Sequence, residues 1–503
     1  MKEFQGIEKL QTYIPGLDLI ADGGLPKGRT TLVAGTSGSA KTVFAAQFLA
    51  AGISQAEENG VFVTFEESPE AIRRNVKGFG WDIEQWEADG KWAFVDASPD
   101  PAEEVTIIGN YDFGGLLVRI EHAIRKNGAK RVAMDSVGTV FTRYSERATV
   151  RRELFRIIAA LREIGVTAVL TAERNEEYGE IARFGVEEFV ADNVIILRNS
   201  LEEEKRRRTI EILKFRGTYH QKGEWPFTVS SGKGIVVLPL SVIELNQSST
   251  DQRVHSGNEE LDKMCGGGFF RDSIILVSGA TGSGKTLLAT KFLAGGVARG
   301  EKALMLAFEE SRPQLIRNSR GWGDDFAAME QAGKLRIVCT YPETASLEEH
   351  LLEIKAAVEE FRPNRLAIDS LSALERMATA KGYREFIVGL TSFVKHGELV
   401  GLFTATTPTL LGGASVTESH ISTMTDSIIL LRYVEVYGDI RRGIVVIKMR
   451  GSGHEKEIRE FTIDAQGMHI GRPFRGITGI LSGNPIQASA DEMERLDELF
   501  KTR

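Results

Sequence analysis

The sequence predicts an α/β fold built twice, with a mostly parallel, twisted sheet in each of two domains. The chain has 503 residues, which is enough for two large domains. Short β-branched runs such as Thr30–Ala34 and Ser273–Val277 alternate with longer helix-like segments. This alternation is typical of parallel sheets covered by helices. A third observation, a repeat of four landmarks in the same order, indicates that one domain has been duplicated.

The repeat runs through most of the chain at a nearly constant offset. Its matching pairs are Gly35–Thr42 with Gly279–Thr286, Val61–Ser68 with Ala303–Ser311, Arg131–Ser136 with Arg365–Ser370, and Lys214–Gly217 with Lys448–Gly451. A repeat of this length indicates duplication of a whole domain rather than chance similarity. We therefore place a first domain at 1–240, a polar linker at 241–251, a second domain at 252–470 and a tail at 471–503. A predicted helical face in the tail could dock on its own domain or bind a partner; it comprises Met493, Leu496, Leu499 and Phe500.

The composition is globular, with 42% apolar and 26% charged residues. The net charge of −8 weakly disfavours a nucleic-acid-binding function, because proteins that bind nucleic acids usually carry an excess of basic residues. Cys265 and Cys339 stand alone, which argues against a disulfide framework or a zinc site. The first residues lack the apolar core of a signal peptide, and no apolar run has the length of a membrane span. We expect a cytoplasmic protein with no membrane association.

Both Gly-rich segments have the form of a phosphate-binding loop between a strand and a helix. The backbone N–H groups of such a loop surround phosphate, its Lys reaches the β and γ oxygens, and its hydroxyl binds Mg²⁺. The second copy fits at every position, whereas the first has Ala40 in place of Gly. If that position needs positive φ, Ala costs on the order of 1–2 kcal/mol, which leaves a purely structural nucleotide site open as an alternative. The loop residues predicted to bind ATP are Thr36, Ser37, Gly38, Ser39, Ala40, Lys41 and Thr42 in the first domain and Thr281, Gly282, Ser283, Gly284, Lys285, Thr286 and Leu287 in the second.

Acidic residues at the ends of predicted strands complete two RecA-like P-loop NTPase sites. Asp135 and Asp369 each end an apolar strand, where a carboxylate can reach the Mg²⁺ shell. Two adjacent carboxylates recur after the second predicted strand, and adjacent carboxylates raise each other's pKa, which suits a proton acceptor. We predict the first of each pair as the base. The predicted catalytic residues are Glu66, Glu67, Glu309 and Glu310, and the predicted metal ligands are Thr42, Asp135, Thr286, Glu309 and Asp369.

Two cations recur on one late strand of each domain. Lys214 and Arg216, like Lys448 and Arg450, are two residues apart and therefore point the same way from a strand. RecA-like ATPases often receive such cations from a neighbouring subunit, which implies a ring with ATP between protomers. A solvated strand face is the alternative.

Longer segments resemble the KaiC family of clock ATPases and autokinases. The resemblance is clearest in the Phe-Glu-Glu-Ser motif of both halves and in the segments Thr149–Arg156, Tyr178–Phe189 and Leu213–His220. It implies a double-ring hexamer with ATP at subunit interfaces, ATP hydrolysis in the first domain and serine/threonine autophosphorylation in the second. An autophosphatase activity can accompany the kinase.

The resemblance also assigns residues that the short motifs do not reach. In Val416–Thr423, Ser422 and Thr423 match the family's phosphoacceptors, and Thr417 matches a Thr that influences its cycle. Arg376 matches an Arg near the phosphosites and could pair with an attached phosphate. Two departures are Gly453, where the family commonly has Trp, and Glu418, where the cyanobacterial pattern has Asp. The further nucleotide contacts implied are Lys214, Phe215, Arg216, Thr218, His220, Trp322, Arg442, Lys448, Met449, Arg450, Ser452 and His454.

The partners and the competing functions follow from the same comparison. The resemblance implies a KaiB-like protein on the first-domain ring, and it leaves a KaiA-like activator at the tail and the downstream signalling protein open. A nucleic-acid-dependent ATPase on the same fold remains an alternative, with the basic run Lys205–Arg208 as its footprint. An ATP-gated scaffold without turnover is the third hypothesis.

Overall fold

The computed structural model describes residues 6–98, 113–141, 147–183, 185, 187–202, 205–239, 249–407, 421–436, 438–475, 477–481 and 486–487. The chain divides into two compact units, Met1–Val242 and Ile243–Arg503. The helical face predicted in the tail lies outside the described residues. Among the described residues, no helix combines the length and the apolarity needed to span a bilayer.

The first unit alternates strands and helices over most of its length. Its strands are β1 Lys9–Leu10, β2 Leu25–Pro26, β3 Thr30–Gly35, β4 Gly60–Thr64, β5 Trp92–Asp96, β6 Arg131–Asp135, β7 Thr167–Glu173, β8 Asn193–Glu202, β9 Lys205–Phe215, β10 Glu224–Ser230 and β11 Gly234–Val237. Its α-helices are α1 Leu17–Ile20, α2 Lys41–Ala56, α3 Pro69–Val76, α4 Ile83–Ala88, α5 Phe113–Asn127, α6 Val137–Phe141, α7 Arg147–Ile164 and α8 Glu187–Val190, and Lys77–Phe79 forms a 3₁₀ turn.

The second unit repeats this order. Its strands are β12 Arg253–Val254, β13 Phe269–Phe270, β14 Ile274–Gly279, β15 Ala303–Ala307, β16 Leu335–Cys339, β17 Arg365–Asp369, β18 Val400–Thr406, β19 Ser427–Val436, β20 Asp439–Met449, β21 Arg459–Asp464, β22 Gly467–Pro473, β23 Ile477–Thr478 and β24 Ile486–Gln487. Its α-helices are α9 Glu259–Met264, α10 Lys285–Val297, α11 Arg312–Gly321, α12 Phe326–Gln331, α13 Leu347–Phe361, α14 Leu371–Glu375, α15 Ala380–His396 and α16 Ile421–Met424, and Pro342–Thr344 forms a 3₁₀ turn.

The main sheets of the two units have the same strand order. Within the described residues, the first nine-stranded sheet runs β5-β4-β6-β7-β3-β8-β9-β10-β11 and the second runs β16-β15-β17-β18-β14-β19-β20-β21-β22. The pairings from β5 to β8 are parallel, and those from β8 to β11 are antiparallel. The prediction of two RecA-like α/β domains with mostly parallel sheets is confirmed.

The central strands are buried on both faces, as strands of a covered parallel sheet must be. Every residue of β3 and β14 is buried. Helix α2 packs one face on the first sheet, where Phe44, Phe48 and Leu49 are fully buried. The carboxyl ends of β3 and β14 run directly into the phosphate-loop segments, so the sheet edge positions both loops.

A buried arginine fastens each phosphate-loop helix to its sheet. Arg365 is 1% exposed, pairs with Glu301 at 2.5 Å, and donates to the carbonyl of Phe292 in α10 at 2.8 Å. A Cβ on Gly296 would lie 2.3 Å from Arg365 Nε, so the helix needs glycine at this point. Arg131 and Gly52 repeat the arrangement in the first unit, also at 2.3 Å. This contact fixes the far end of the helix whose near end holds the loop lysine.

Candidate active site

The phosphate loop of the second unit has the backbone that phosphate binding requires. Gly284 has φ of 106° and ψ of 15°, a left-handed conformation that favours glycine, and it caps the start of α10. The next residue, Lys285, is 8% exposed, and its Nζ donates to the carbonyl oxygens of Gly279 and Ala280, both at 2.9 Å. Burial lowers the pKa of Lys285. The loop thus holds its lysine folded back toward the place where phosphate oxygens would lie.

Two of the three predicted metal ligands of the second unit, Thr286 and Asp369, are in direct contact. Thr286 Oγ1 donates to Asp369 Oδ2 at 2.6 Å, and the hydroxyl of Thr404 donates to the other carboxylate oxygen. Asp369 is 7% exposed, and burial raises its pKa. A hydroxyl and a carboxylate oxygen beside a phosphate loop suit Mg²⁺, which takes its other ligands from phosphate and water. Among the described residues, no group of three or more His, Cys, Asp and Glu side chains could hold a metal by itself.

The two carboxylates predicted for proton transfer in the second unit have different surroundings. Glu309 accepts from Ser370 Oγ at 2.9 Å and from Arg376 Nη2 at 3.0 Å. Glu310 accepts from Asn318 Nδ2 at 2.9 Å. Burial, and after it the charge of Asp369, raises the pKa of Glu310. The first carboxylate is therefore oriented by a hydroxyl and a cation, and the second by an amide.

These groups surround one cavity of about 440 Å³ beside the phosphate loop of the second unit. Trp322 forms part of its wall, and its predicted place near the adenine stays a prediction. The lining consists of Thr281, Gly282, Gly284, Lys285, Thr286, Leu287, Glu309, Glu310, Asn318, Trp322, Asp369, Arg376, Thr406 and Ile463. The structure thus brings the predicted loop, metal and carboxylate residues of this unit to one place.

The first unit repeats the lysine and carboxylate contacts of the second on a loop with one substitution. Ala40 has φ of 72° and ψ of 29°, so the position does take the left-handed conformation that penalises Ala. Lys41 Nζ nevertheless donates to the Thr36 carbonyl at 2.9 Å, and burial lowers its pKa. The hydroxyl of Thr171 donates to Asp135, as Thr404 does to Asp369. The first loop therefore keeps its lysine in place despite Ala40.

Glu66, the predicted base of the first unit, accepts hydrogen bonds from two hydroxyl groups. It accepts from Ser136 Oγ at 3.4 Å and from the hydroxyl of Thr139. Burial, followed by the charges of Glu173 and Asp135, raises the pKa of Glu66. Its neighbour Glu67 accepts from Asn75 Nδ2 at 2.7 Å. The raised pKa favours proton uptake from a bound water.

The cations of the late strands lie outside this constellation in the second unit. Lys448 Nζ donates to the Thr425 carbonyl at 2.7 Å, and Arg450 Nη2 donates to the Thr423 carbonyl at 2.6 Å. Neither residue lines the cavity. Burial lowers the pKa of Lys448. Both side chains thus converge on α16 and the residue that follows it, rather than on the phosphate loop of their own unit.

The corresponding residues of the first unit behave alike. Lys214 Nζ donates to the carbonyls of Glu188 and Ala191 at 2.9 Å, and Arg216 Nη2 donates to the Phe189 carbonyl at 3.3 Å. Burial lowers the pKa of Lys214. In both units, therefore, the two predicted cations contact a short segment that precedes the strand next to β3 or β14.

The remaining predicted nucleotide contacts fall into three places. The ring of Phe215 lies 5.4 Å from that of His220, and burial lowers the pKa of His220. Thr218, which lies between these two residues in the sequence, is half-buried. Ser452 accepts from Arg253 Nη2 at 2.6 Å, with buried Met449 and half-buried His454 nearby in sequence. Arg442 lies over the Tyr433 ring, and Tyr433 Oη donates to the Thr281 carbonyl of the phosphate loop at 3.4 Å.

The predicted phosphoacceptors lie at α16. Thr423 is exposed, and its carbonyl accepts from Arg450. Ser422 belongs to the same helix, but its side chain lies outside the described residues, as do Thr417 and Glu418.

Sequence reasoning missed a layer of supporting residues that repeats in both units. Asn75, Ser136 and Thr171 orient the carboxylates of the first unit, as Asn318, Ser370 and Thr404 do in the second. The signal that could have found them is identity at matching positions of the duplication. Groups that orient carboxylates in this way fix the geometry of a site.

The fold and the two sites define a P-loop NTPase with tandem RecA-like domains. The family model of the KaiC ATPase matches residues 10–242 and again residues 254–474. This chain belongs to the KaiC family, as predicted, and a KaiC-family ATPase domain implies nucleotide binding.

Relatives match over nearly their whole length. The chain is 66% identical over 499 residues to the circadian clock protein KaiC3 of a Synechocystis species, covering 99% of each chain. It is 53% identical over 497 residues to the circadian clock oscillator protein KaiC of a Picosynechococcus species, covering 99% of this chain and 96% of that one. The KaiC of Synechococcus elongatus is 53% identical over 499 residues, with the same coverage.

Proposed function

We propose that this chain is a hexameric ATPase and serine/threonine autokinase that acts as a timing or signalling protein. The observation that supports it best is the separation of two half-sites on one unit. The loop, metal and carboxylate residues lie around one cavity, whereas Lys448 and Arg450 contact the segment that carries Ser422 and Thr423. Two separated halves are expected when a site is completed by a neighbouring copy in a head-to-tail ring.

In this proposal the second unit transfers a phosphoryl group to its neighbour. Glu309 takes the proton of the Ser422 or Thr423 hydroxyl, whose oxygen bonds to the γ-phosphorus of ATP, and ADP leaves with the electron pair of the broken bond. Lys285 and the neighbour's Lys448 and Arg450 stabilise the charge that develops on the γ-phosphoryl oxygens.

In the first unit the acceptor is water, and Glu66 takes its proton. Thr42 and Asp135 there, and Thr286 and Asp369 in the second unit, are the residues that would hold Mg²⁺. When bound with ATP, the ion supplies charge neutralisation at the β and γ oxygens. In this proposal the phosphate attached to the second unit changes the charge at a subunit boundary, and Arg376 pairs with that phosphate.

The partners are part of the proposal. The relatives bear the names of circadian clock proteins, and we propose that this chain serves the same kind of clock. A KaiB-like protein on the first-domain ring is the expected partner. The proposal leaves open whether a KaiA-like activator binds this chain and which downstream signalling protein responds to it.

The test is incubation of the pure chain with γ-labelled ATP and Mg²⁺, at a concentration that forms rings, followed by phosphosite mapping. We expect label on Ser422 and Thr423 together with steady release of inorganic phosphate. Phosphate release without label at these residues would reject the kinase, and rings that never form would reject the shared site.

A further inference from the structure

The two sites differ at one position beside the phosphate loop. Strand β7 ends at Glu173, which pairs in register with Gly35, the first glycine of the first loop. Strand β18 ends at Thr406, which pairs in register with Gly279, the first glycine of the second loop. Glu173 and Thr406 therefore occupy the same place in the fold. In the second unit this place lines the cavity, since Thr406 is part of its wall.

The Glu173 carboxylate is available to a bound molecule. Its side chain is 43% exposed, and its ion pair with Arg183 is long, at 3.8 Å. Glu173 also acts electrostatically on two residues of the site. Burial raises the pKa of Glu66 most, and the negative charge of Glu173 raises it next. Burial lowers the pKa of Lys41, and among the carboxylates that counteract this lowering Glu173 has the largest effect. The carboxylate thus lies near both the predicted base and the loop lysine.

We propose that Glu173 is a further catalytic residue of the first site, which holds the attacking water together with Glu66. The proposal rests on ATP hydrolysis by the first unit. A water molecule donates two hydrogen bonds, and ionised carboxylates only accept them. Two carboxylates therefore fix both O–H bonds of one water and leave its lone pair directed at the γ-phosphorus.

The second site has Thr406, a neutral hydroxyl that can itself donate, where the first has Glu173. Both oxygens of Glu309 accept a hydrogen bond, one from Ser370 and one from Arg376, whereas the hydroxyls of Ser136 and Thr139 donate to the same oxygen of Glu66. This strand end carries Glu173 in the first unit and Thr406 in the second. In this proposal, that difference separates a site whose phosphoryl acceptor is water from one whose acceptor is a protein hydroxyl.

In the hydrolytic step, the water oxygen bonds to the γ-phosphorus as the bond to the β–γ bridging oxygen breaks. ADP leaves with that electron pair, Glu66 receives one water proton, and the products are ADP and inorganic phosphate. Glu173 remains ionised throughout, because it holds the second O–H bond without taking its proton.

The experiment uses the full chain with Glu309→Gln as the parent, so that phosphate release reports the first site. Glu173→Thr is introduced into this parent, and the second unit shows that a strand end in this position accepts Thr. The matched control is Glu176→Thr, which makes the same chemical change at an exposed residue three positions along. We expect Glu173→Thr to lower kcat about ten-fold or more, with KM and the Kd for ATP within about two-fold. The control should keep the parent's kcat.

Two results would overturn the inference. One is a kcat in Glu173→Thr within about two-fold of the parent, and the other is a fall in kcat accompanied by an equal loss of ATP binding, which would indicate a structural role. A parent that binds ATP and releases no phosphate would remove the proposed hydrolysis as well. A hydrolysing parent with an unaffected Glu173→Thr variant would remove this inference alone.

Discussion

Arg376 Nη2 lies 3.0 Å from Glu309 Oε1, so the predicted base of the second unit is held by a cation of its own chain. Its counterpart Glu66 accepts from the hydroxyls of Ser136 and Thr139 instead. One duplication has therefore produced two sites with similar phosphate loops, the same residue types at the predicted metal-binding positions, and differently held predicted bases. This difference parallels the two acceptors proposed here, water in the first unit and a hydroxyl in the second.

The base assignments predict domain-specific losses. Glu66→Gln removes proton uptake in the first unit and should lower phosphate release by about 10²-fold or more, because general bases contribute on this order. Glu309→Gln should abolish labelling of Ser422 and Thr423 while phosphate release continues. Both variants should retain bound ATP, since neither residue belongs to the phosphate loop. Unchanged phosphate release in Glu66→Gln would reject Glu66 as a base, and unchanged labelling in Glu309→Gln would reject Glu309.

The Arg376 contact predicts an effect on transfer rather than on stability. The pair is substantially exposed, with Arg376 65% and Glu309 41% exposed, and exposed pairs contribute at most about 1 kcal/mol. Arg376→Gln should therefore leave the unfolding midpoint in urea nearly unchanged and slow labelling about ten-fold, because Glu309 loses its orienting partner.

The matched control for Arg376 is Arg320→Gln, which removes an equally exposed arginine. Arg320 pairs with Asp325 at 3.6 Å and does not line the cavity. Normal labelling in this control with slow labelling in Arg376→Gln would support the orienting role. Equal labelling in the two variants would contradict it.

The left-handed backbone at Gly284 and Ala40 predicts opposite changes in stability for Gly284→Ala and Ala40→Gly. Gly284→Ala places a Cβ at φ of 106° and 3.3 Å from Ile463 Cδ1, so it should destabilise the second unit by about 1–2 kcal/mol. Ala40→Gly relieves the left-handed strain at φ of 72° and should stabilise the first unit by about 1 kcal/mol or less. Denaturant unfolding of each variant measures both. Destabilisation by Ala40→Gly would show that the packing of its methyl group outweighs the strain.

Much of the fold could be predicted because its signals are local. The runs that became β3 and β14 are apolar without alternation, and burial on both faces explains this pattern. The loop glycines and lysines are likewise consecutive in sequence. The sequence shows Ala40 as a departure from the loop pattern, but only the backbone shows that this position has positive φ.

The supporting contacts could not be predicted because they join residues far apart in the chain. Ser370 reaches Glu309, and Thr404 reaches Asp369, only through the order of strands in the sheet. A hydroxyl residue within a strand carries no local signal of this role. The position of Glu173 beside Gly35 also depends on strand register, which is set by the packing of the whole sheet.

The separation of Lys448 from the cavity of its own unit predicts complementation between two inactive chains. The Glu309→Gln chain keeps Lys448 and its acceptor segment, and the Lys448→Ala chain keeps an intact pocket. Alone, each should label poorly.

In mixed rings, about a quarter of the interfaces would combine the intact halves by random assortment. Label should then appear on the Glu309→Gln chain, because its hydroxyls face the active pocket of the neighbour. Chains of different length separate the products on a gel. Label confined to the Lys448→Ala chain, or absent from mixed rings that bind ATP, would show that the pocket is not shared.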